Sequence, residues 1–290
     1  MAKILVAGCG DIGHRLAEIL IQQGHRAVGL KRNPPVANDS NVEYYPADLT
    51  EATDLSGLET DFDQVFFLPA PDDRSVQSYR AVYRTGLNNL LNRFSGLTNS
   101  PQWFLVSSTS VYGQTNGEWV DEQSPAEPKT ETGRIIRQAE QTILEFDRNA
   151  VVVRFSGIYG RGRERLVKIA WQQPAIQYAP PSYTNRIHQD DCAAVLAFLS
   201  ELSLAGRKLE PFYLASDDNP APLWDVISWL AEQLNRPAPT VEKSAENPEQ
   251  NKRCNNARIK ELGYHFKYPD FKAGYRQLIK LTTRISPLNY

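Results

Sequence analysis

The chain has 290 residues, with 32 Lys and Arg against 34 Asp and Glu and a formal net charge of −2. That balance leaves no basic excess for nucleic acid or an anionic membrane, and no apolar run approaches the roughly eighteen residues of a membrane span. Three widely spaced cysteines (Cys9, Cys192, Cys254) form neither a metal motif nor a disulfide framework, and no signal peptide pattern precedes the first strand. A soluble cytoplasmic protein without a metal is therefore expected, long enough for a large core in one or two domains.

Lys3 to Ala7 reads as a short, continuously apolar strand. Gly8, Gly10 and Gly13 follow as G-x-G-x-x-G, and Ile12, Leu16, Ile19 and Leu20 stand at helical spacing. The helix therefore starts inside the glycine run; Gly24 ends it, and Ala27 to Leu30 is a second strand. In such a βαβ unit Gly8 permits a tight turn, Gly10 lets a pyrophosphate approach the backbone, and Gly13 lets helix and strand pack closely. The helix N-terminus at Asp11 and Ile12 faces the phosphates with its positive dipole end. An ordinary glycine turn is the weaker alternative.

An acid about twenty residues past the glycines usually binds the ribose 2′-OH of NAD. This chain instead reads Leu30-Lys31-Arg32-Asn33. Lys31 and Arg32 suit a 2′-phosphate, so NADP is expected, with NAD and a merely solvated basic loop as alternatives.

Val42 to Pro46 reads as a third strand, followed by Asp48 and Leu49. Asp48 is placed beside an adenine amino group or, alternatively, as the cap of the next turn. Asp63 to Pro69 (DQVFFLP) is a fourth strand, apolar enough to be buried on both faces. Its end, Leu68-Pro69-Ala70, is expected beside the cofactor, because ligands bind at the carboxyl ends of parallel strands. Ser78 to Phe94 reads as a helix. The next strand starts at Trp103 and turns polar at Ser107 and Ser108, where cofactor and substrate would meet. A helix from about Glu131 to Phe146 and a buried strand from Val151 to Phe155 follow. Strands alternating with helices predict an α/β fold with a doubly wound parallel sheet.

The last third carries a loop from Pro180 to Asp191, a helix from Cys192 to Leu202, a short strand from Phe212 to Ala215, and a helix from Pro222 to Leu234. Lys243 to Arg253 reads as an exposed loop. A first domain is expected over 1–155, continued by about 185–215. Residues 156–184 and 216–290 then form a smaller, mostly helical substrate-binding lobe.

Six pieces taken together resemble one family in its own order. They are the glycine loop, Asp48-Leu49, Gly86-Leu-Asn-Asn-Leu-Leu91, Val106-Ser-Ser-Thr-Ser-Val-Tyr-Gly113, Val153-Arg-Phe-Ser-Gly-Ile-Tyr-Gly160 and Ile187-His-Gln-Asp-Asp191. The chain resembles the extended short-chain dehydrogenases/reductases, the NAD-dependent epimerase/dehydratase superfamily. This implies a Rossmann-type domain, a nicotinamide cofactor, a polar small-molecule substrate and, in many members, dimerisation through helices flanking the active site. The glycine spacing departs mildly from the G-x-x-G-x-x-G commoner in that branch.

The catalytic departure is larger. The family uses a hydroxyl where Ser108 stands, and a Tyr-x-x-x-Lys pair on the next helix. Alignment through Pro128 and Glu140 puts Thr132 at the Tyr and Ile136 at the Lys, as in atypical members lacking the dyad. A threonine hydroxyl is too weak an acid and isoleucine has no charge, and losing one positioned acid or base costs about 10²–10⁴ in rate. Thr109 and Ser110 stand where nucleotide-sugar dehydratases tend to carry an acidic pair, which argues against dehydration. Tyr112 is the nearest phenol to Ser108 and the leading substitute donor. Tyr159 with Arg163, and the Tyr268-x-x-x-Lys272 pattern, are weaker, and His188 reads as cleft support. Arg161, Arg163 and Arg186 are candidates for a substrate phosphate or carboxylate, or plain surface arginines; Lys252, Arg253 and Asn256 are weaker ones. Two functions follow as expectations: an NAD(P)-dependent oxidoreductase or epimerase with a non-standard proton donor, acting on a sugar-like or phosphorylated molecule, or an inactive NADP(H)-binding sensor.

Overall fold

A computed structural model describes residues 1–35, 41–242 and 250–285. Seven strands form one sheet in the order Phe212–Ala215, Val151–Phe155, Gln102–Ser108, Gln64–Phe67, Lys3–Ala7, Arg26–Lys31, Glu43–Pro46. The five from Gln102–Ser108 to Glu43–Pro46 pair in parallel. Counted along the chain this is 7-6-5-4-1-2-3, the doubly wound order in which the sheet reverses beside the first strand. Parallel strands need both faces covered, so the central ones are buried throughout: Gln64–Phe67 is buried at every position, and so is Val151–Phe155.

The chain forms two compact units. The first comprises Met1–Val111, Ala126–Arg154 and Ala193–Tyr213. Its core joins Leu5, Leu30, Phe67, Leu90, Trp103 and Ile143. The helix Glu131–Phe146 has the bounds its periodicity predicts; Thr130 caps it, its hydroxyl accepting from Gly133 N at 3.1 Å. The predicted Ser78–Phe94 helix is interrupted. Val76–Arg80 and Leu87–Arg93 are α-helical, and Ala81–Gly86 between them is a π turn. A Cβ on Gly86 would lie 3.2 Å from Leu49 Cβ, and Asn89 Nδ2 donates to Leu49 O at 3.0 Å. Contacts to the Leu49 segment thus hold this register, which periodicity alone does not reveal.

The second unit comprises Tyr112–Pro125, Phe155–Cys192 and Leu214–Tyr290. Its core gathers Tyr159, Val167, Ile227, Leu230, Phe271 and Tyr275. Besides the helices Arg165–Trp171, Leu223–Gln233 and Phe271–Ile285 it carries four two-stranded sheets. Gly157–Tyr159 pairs with Arg186–His188, and Lys252–Cys254 with Glu118–Val120, both in parallel. Of the stretch expected as an exposed loop, residues 243–249 lie outside the described residues. Lys252 is instead a buried strand residue, 3% exposed. No helix among the described residues is long and apolar enough to cross a membrane.

Candidate functional site

The glycine loop leaves the end of the central strand Lys3–Ala7. Gly8 N and Cys9 N both donate to Leu30 O, at 3.1 and 2.9 Å, which pins the turn to the neighbouring strand. Gly8 has φ +96°, and a Cβ there would lie 2.4 Å from Pro69 Cα. A Cβ on Gly13 would lie 2.7 Å from Gly8 O. Gly8 and Gly13 are thus required by close packing. Gly10 differs: a Cβ there meets nothing within 4 Å, so its face is open. The helix Asp11–Gln22 begins at once, and Gly10 supplies no side-chain cap to its amides. An open glycine at an uncapped helix N-terminus is a cradle for an anion. Pro69, between Leu68 and Ala70, forms the wall against Gly8. Cys9 is buried against Gly29, and burial pushes its thiol up to about 11, which leaves it an inert packing residue.

Next to this loop the charges are not disposed as simply as the sequence suggests. Arg32 forms a forked ion pair with Asp72, Nη1 donating to Oδ2 at 2.9 Å and Nη2 to Oδ1. Asp48 Oδ2 stands 4.0 Å from Arg32 Nη1, while its Oδ1 accepts from Thr50 N and Oγ1 at 2.9 and 2.8 Å. Asp48 thus caps the turn that follows it. Leu49 is buried against the π turn.

Ser107 and Ser108 part company. Ser107 is 3% exposed, and its hydroxyl donates to Glu140 Oε1 at 2.5 Å rather than pointing to a cofactor. Glu140 is fully buried and also accepts from Arg154 at 2.9 and 2.8 Å and from Arg137 at 2.8 Å. Arg154 in turn lies over the Phe212 ring at 4.4 Å. Ser108 is half-buried, and its hydroxyl accepts from Ser110 N at 3.1 Å. Thr132 Oγ1 lies 3.5 Å from Thr130 Oγ1, and Ile136 is 4% exposed in the core.

In the second unit the expected donor Tyr112 is fully buried, its hydroxyl donating to Asp121 O at 2.7 Å. A phenol sealed on a carbonyl is a packing and turn-fixing residue. Lys252 Nζ donates to Tyr112 O at 3.4 Å and to Gln250 Oε1 at 2.9 Å, and desolvation holds its pKa below the usual lysine value. Arg253 lies between Trp119 and Tyr183, 5.0 and 4.9 Å from their ring centres. Asn256 Nδ2 donates to Ser216 O at 2.9 Å. Arg161 and Arg163 are exposed. Arg186 is not: it is 3% exposed, 3.9 Å from the buried Asp217, and lies over the Phe271 ring at 5.2 Å. It is a core ion-pair residue rather than a surface substrate clamp. His188 packs on Tyr159 and Tyr268, with ring centres 5.2 and 4.0 Å away. Among the described residues, no group of three or more His, Cys, Asp or Glu is placed to hold a metal.

Burial pushes the Asp217 carboxyl up to about 7, against the opposing pull of Arg186. The unfolded value is near 3.9, so the folded state holds this proton more tightly; that stabilisation is complete below about pH 4 and is lost as pH rises to about 7. Urea unfolding at pH 5 and pH 8 is expected to show this loss as about 3 kcal/mol in the wild type, and to show it much reduced in Asp217→Asn.

The chain is similar to known proteins. The model of the NAD dependent epimerase/dehydratase family matches residues 4–174. The chain belongs to this family. A solved candidate NAD-dependent epimerase/dehydratase from Methylobacillus flagellatus is 33% identical, with 97% of this chain and 99% of that chain covered and a TM-score of 0.80. The dTDP-glucose 4,6-dehydratase of Bacillus anthracis, solved in complex with NAD, is 16% identical over 98% of this chain and 97% of its own, with a TM-score of 0.79, and shares the fold. The spore coat polysaccharide biosynthesis protein SpsK of Bacillus subtilis is 22% identical over 204 residues, 64% of this chain and 66% of that protein.

Proposed function

We propose that this family member binds a nicotinamide dinucleotide at its glycine loop and works as an NAD(P)-dependent oxidoreductase or epimerase on a sugar-like or phosphorylated small molecule. The open face of Gly10 at an uncapped helix start carries the reading. Gly8, Gly10, Asp11, Ile12 and Gly13 hold the pyrophosphate, Leu68 to Ala70 line its edge, and Lys31 and Arg32 sit at the ribose end, favouring NADP. The cofactor, when bound, supplies or accepts hydride. Ser108, half-buried at the end of its strand, binds the substrate oxygen. Sugar nucleotides are the substrate class that the family and the dTDP-glucose relative favour.

A second reading, a dinucleotide sensor without turnover, is favoured by Thr132 and Ile136 and by the sealed hydroxyl of Tyr112. Calorimetric titration with NADPH and NADH, followed by nucleotide-sugar turnover read by NMR and NADPH oxidation against carbonyl compounds, separates the two. Gly10→Ala is expected to leave the melting temperature within about 2 °C while weakening dinucleotide binding by at least about tenfold, since its methyl group meets only the ligand. Equal binding by this variant would overturn the placement of the cofactor. Binding without any turnover would select the sensor.

A further inference from the structure

We propose that Asp72 sets the dinucleotide preference of the glycine-loop site by competing for Arg32. The inference rests on the proposed cofactor site. The sheet places Lys3–Ala7 between Arg26–Lys31 and Gln64–Phe67. Arg32 directly follows the first of these neighbours, and Asp72 follows the second by five residues. Their ion pair therefore spans the carboxyl end of the central strand, from which the glycine loop departs.

The contact is a two-pronged fork, with Nη1 to Oδ2 at 2.9 Å and Nη2 to Oδ1 as its second arm. A phosphate takes an arginine through the same two donors, so carboxylate and 2′-phosphate exclude each other there. Both side chains are reachable by a ligand, at 52% and 64% exposed. Asp48 Oδ2, 4.0 Å from Nη1, adds a second negative charge on the same guanidinium. An incoming NADPH must displace Asp72 and bring its phosphate among two carboxylates. An incoming NADH carries only a hydroxyl at that position, which leaves the pair intact and which a carboxylate can accept from. The sequence Lys31-Arg32 read alone overstates the pull toward NADP, because the acid missing from the end of the second strand is supplied from the loop after the fourth.

Titration of the full chain with NADPH and with NADH tests this in the wild type, Asp72→Asn, Arg32→Gln and the double variant. Asp72→Asn is expected to raise the NADPH-to-NADH affinity ratio about two- to fivefold, the range in which exposed ion pairs act. In the Arg32→Gln background that rise is expected to disappear, as coupling between the two residues requires. A ratio changed by less than twofold in Asp72→Asn, or a rise that persists without Arg32, overturns the proposal while leaving the cofactor site standing. Failure of the wild type to bind either dinucleotide overturns both.

Discussion

Glu140→Ala is expected to lower unfolding stability by about 3–5 kcal/mol, measured as a fall in the urea midpoint at unchanged slope. The carboxylate is fully buried and accepts from Ser107, Arg137 and Arg154. Arg154 is itself 2% exposed. Removing Glu140 takes from a buried guanidinium the carboxylate to which its Nε and Nη2 donate, and breaking a buried pair from one side costs far more than the pair contributes. Glu140→Gln keeps the shape but only one acceptor oxygen, turning an NH2 donor toward the arginine donors, so it should recover only part of the loss. If Glu140→Ala costs less than 1 kcal/mol, the cluster is solvated and the burial assigned to it is wrong.

The second large effect is at Gly8. Gly8→Ala is expected to cost about 1–3 kcal/mol from its left-handed backbone and, beyond that, to push the loop off Pro69 and abolish dinucleotide binding. Gly24→Ala supplies the comparison. Gly24 has φ +90° and nothing within 4 Å of an added Cβ, so it carries the conformational cost alone. Thermal melts and NADPH titrations on both variants therefore isolate the 2.4 Å approach of Pro69 to Gly8. Gly24→Ala should retain full binding. Equal binding losses in the two would show that the approach has no part in shaping the cradle.

What was legible in the sequence follows a physical rule. The sheet strands and the helix Glu131–Phe146 announce themselves because their patterns are local: unbroken apolar runs, helical spacing and a Thr130 cap. The close packing at Gly8 and Gly13 is legible for the same reason. The polar interior was not. Glu140 meets Ser107 across 33 residues of chain and Arg154 across 14, and nothing in their spacing announces the meeting. Arg186 looks like a surface cation until Asp217, 31 positions on, is seen beside it. Tyr112 looks available as a proton donor until Asp121 O is found on its hydroxyl. Lys252–Cys254 is three residues long and pairs with Glu118–Val120, too short to carry a period and too distant to be guessed.

The interleaving of the two units has a consequence for how the protein is made. The first unit draws its last segment, Ala193–Tyr213, from beyond a stretch of the second. Phe212, whose ring covers Arg154, belongs to that last segment. On the ribosome the nascent first unit must therefore wait for residue 213 to emerge, and at about 5–20 residues per second the 59 residues after Arg154 take about 3–12 seconds to be added. Through that interval Arg154 lacks its aromatic cover and Val151–Phe155 is an open sheet edge, the kind of exposed surface that chaperones shield.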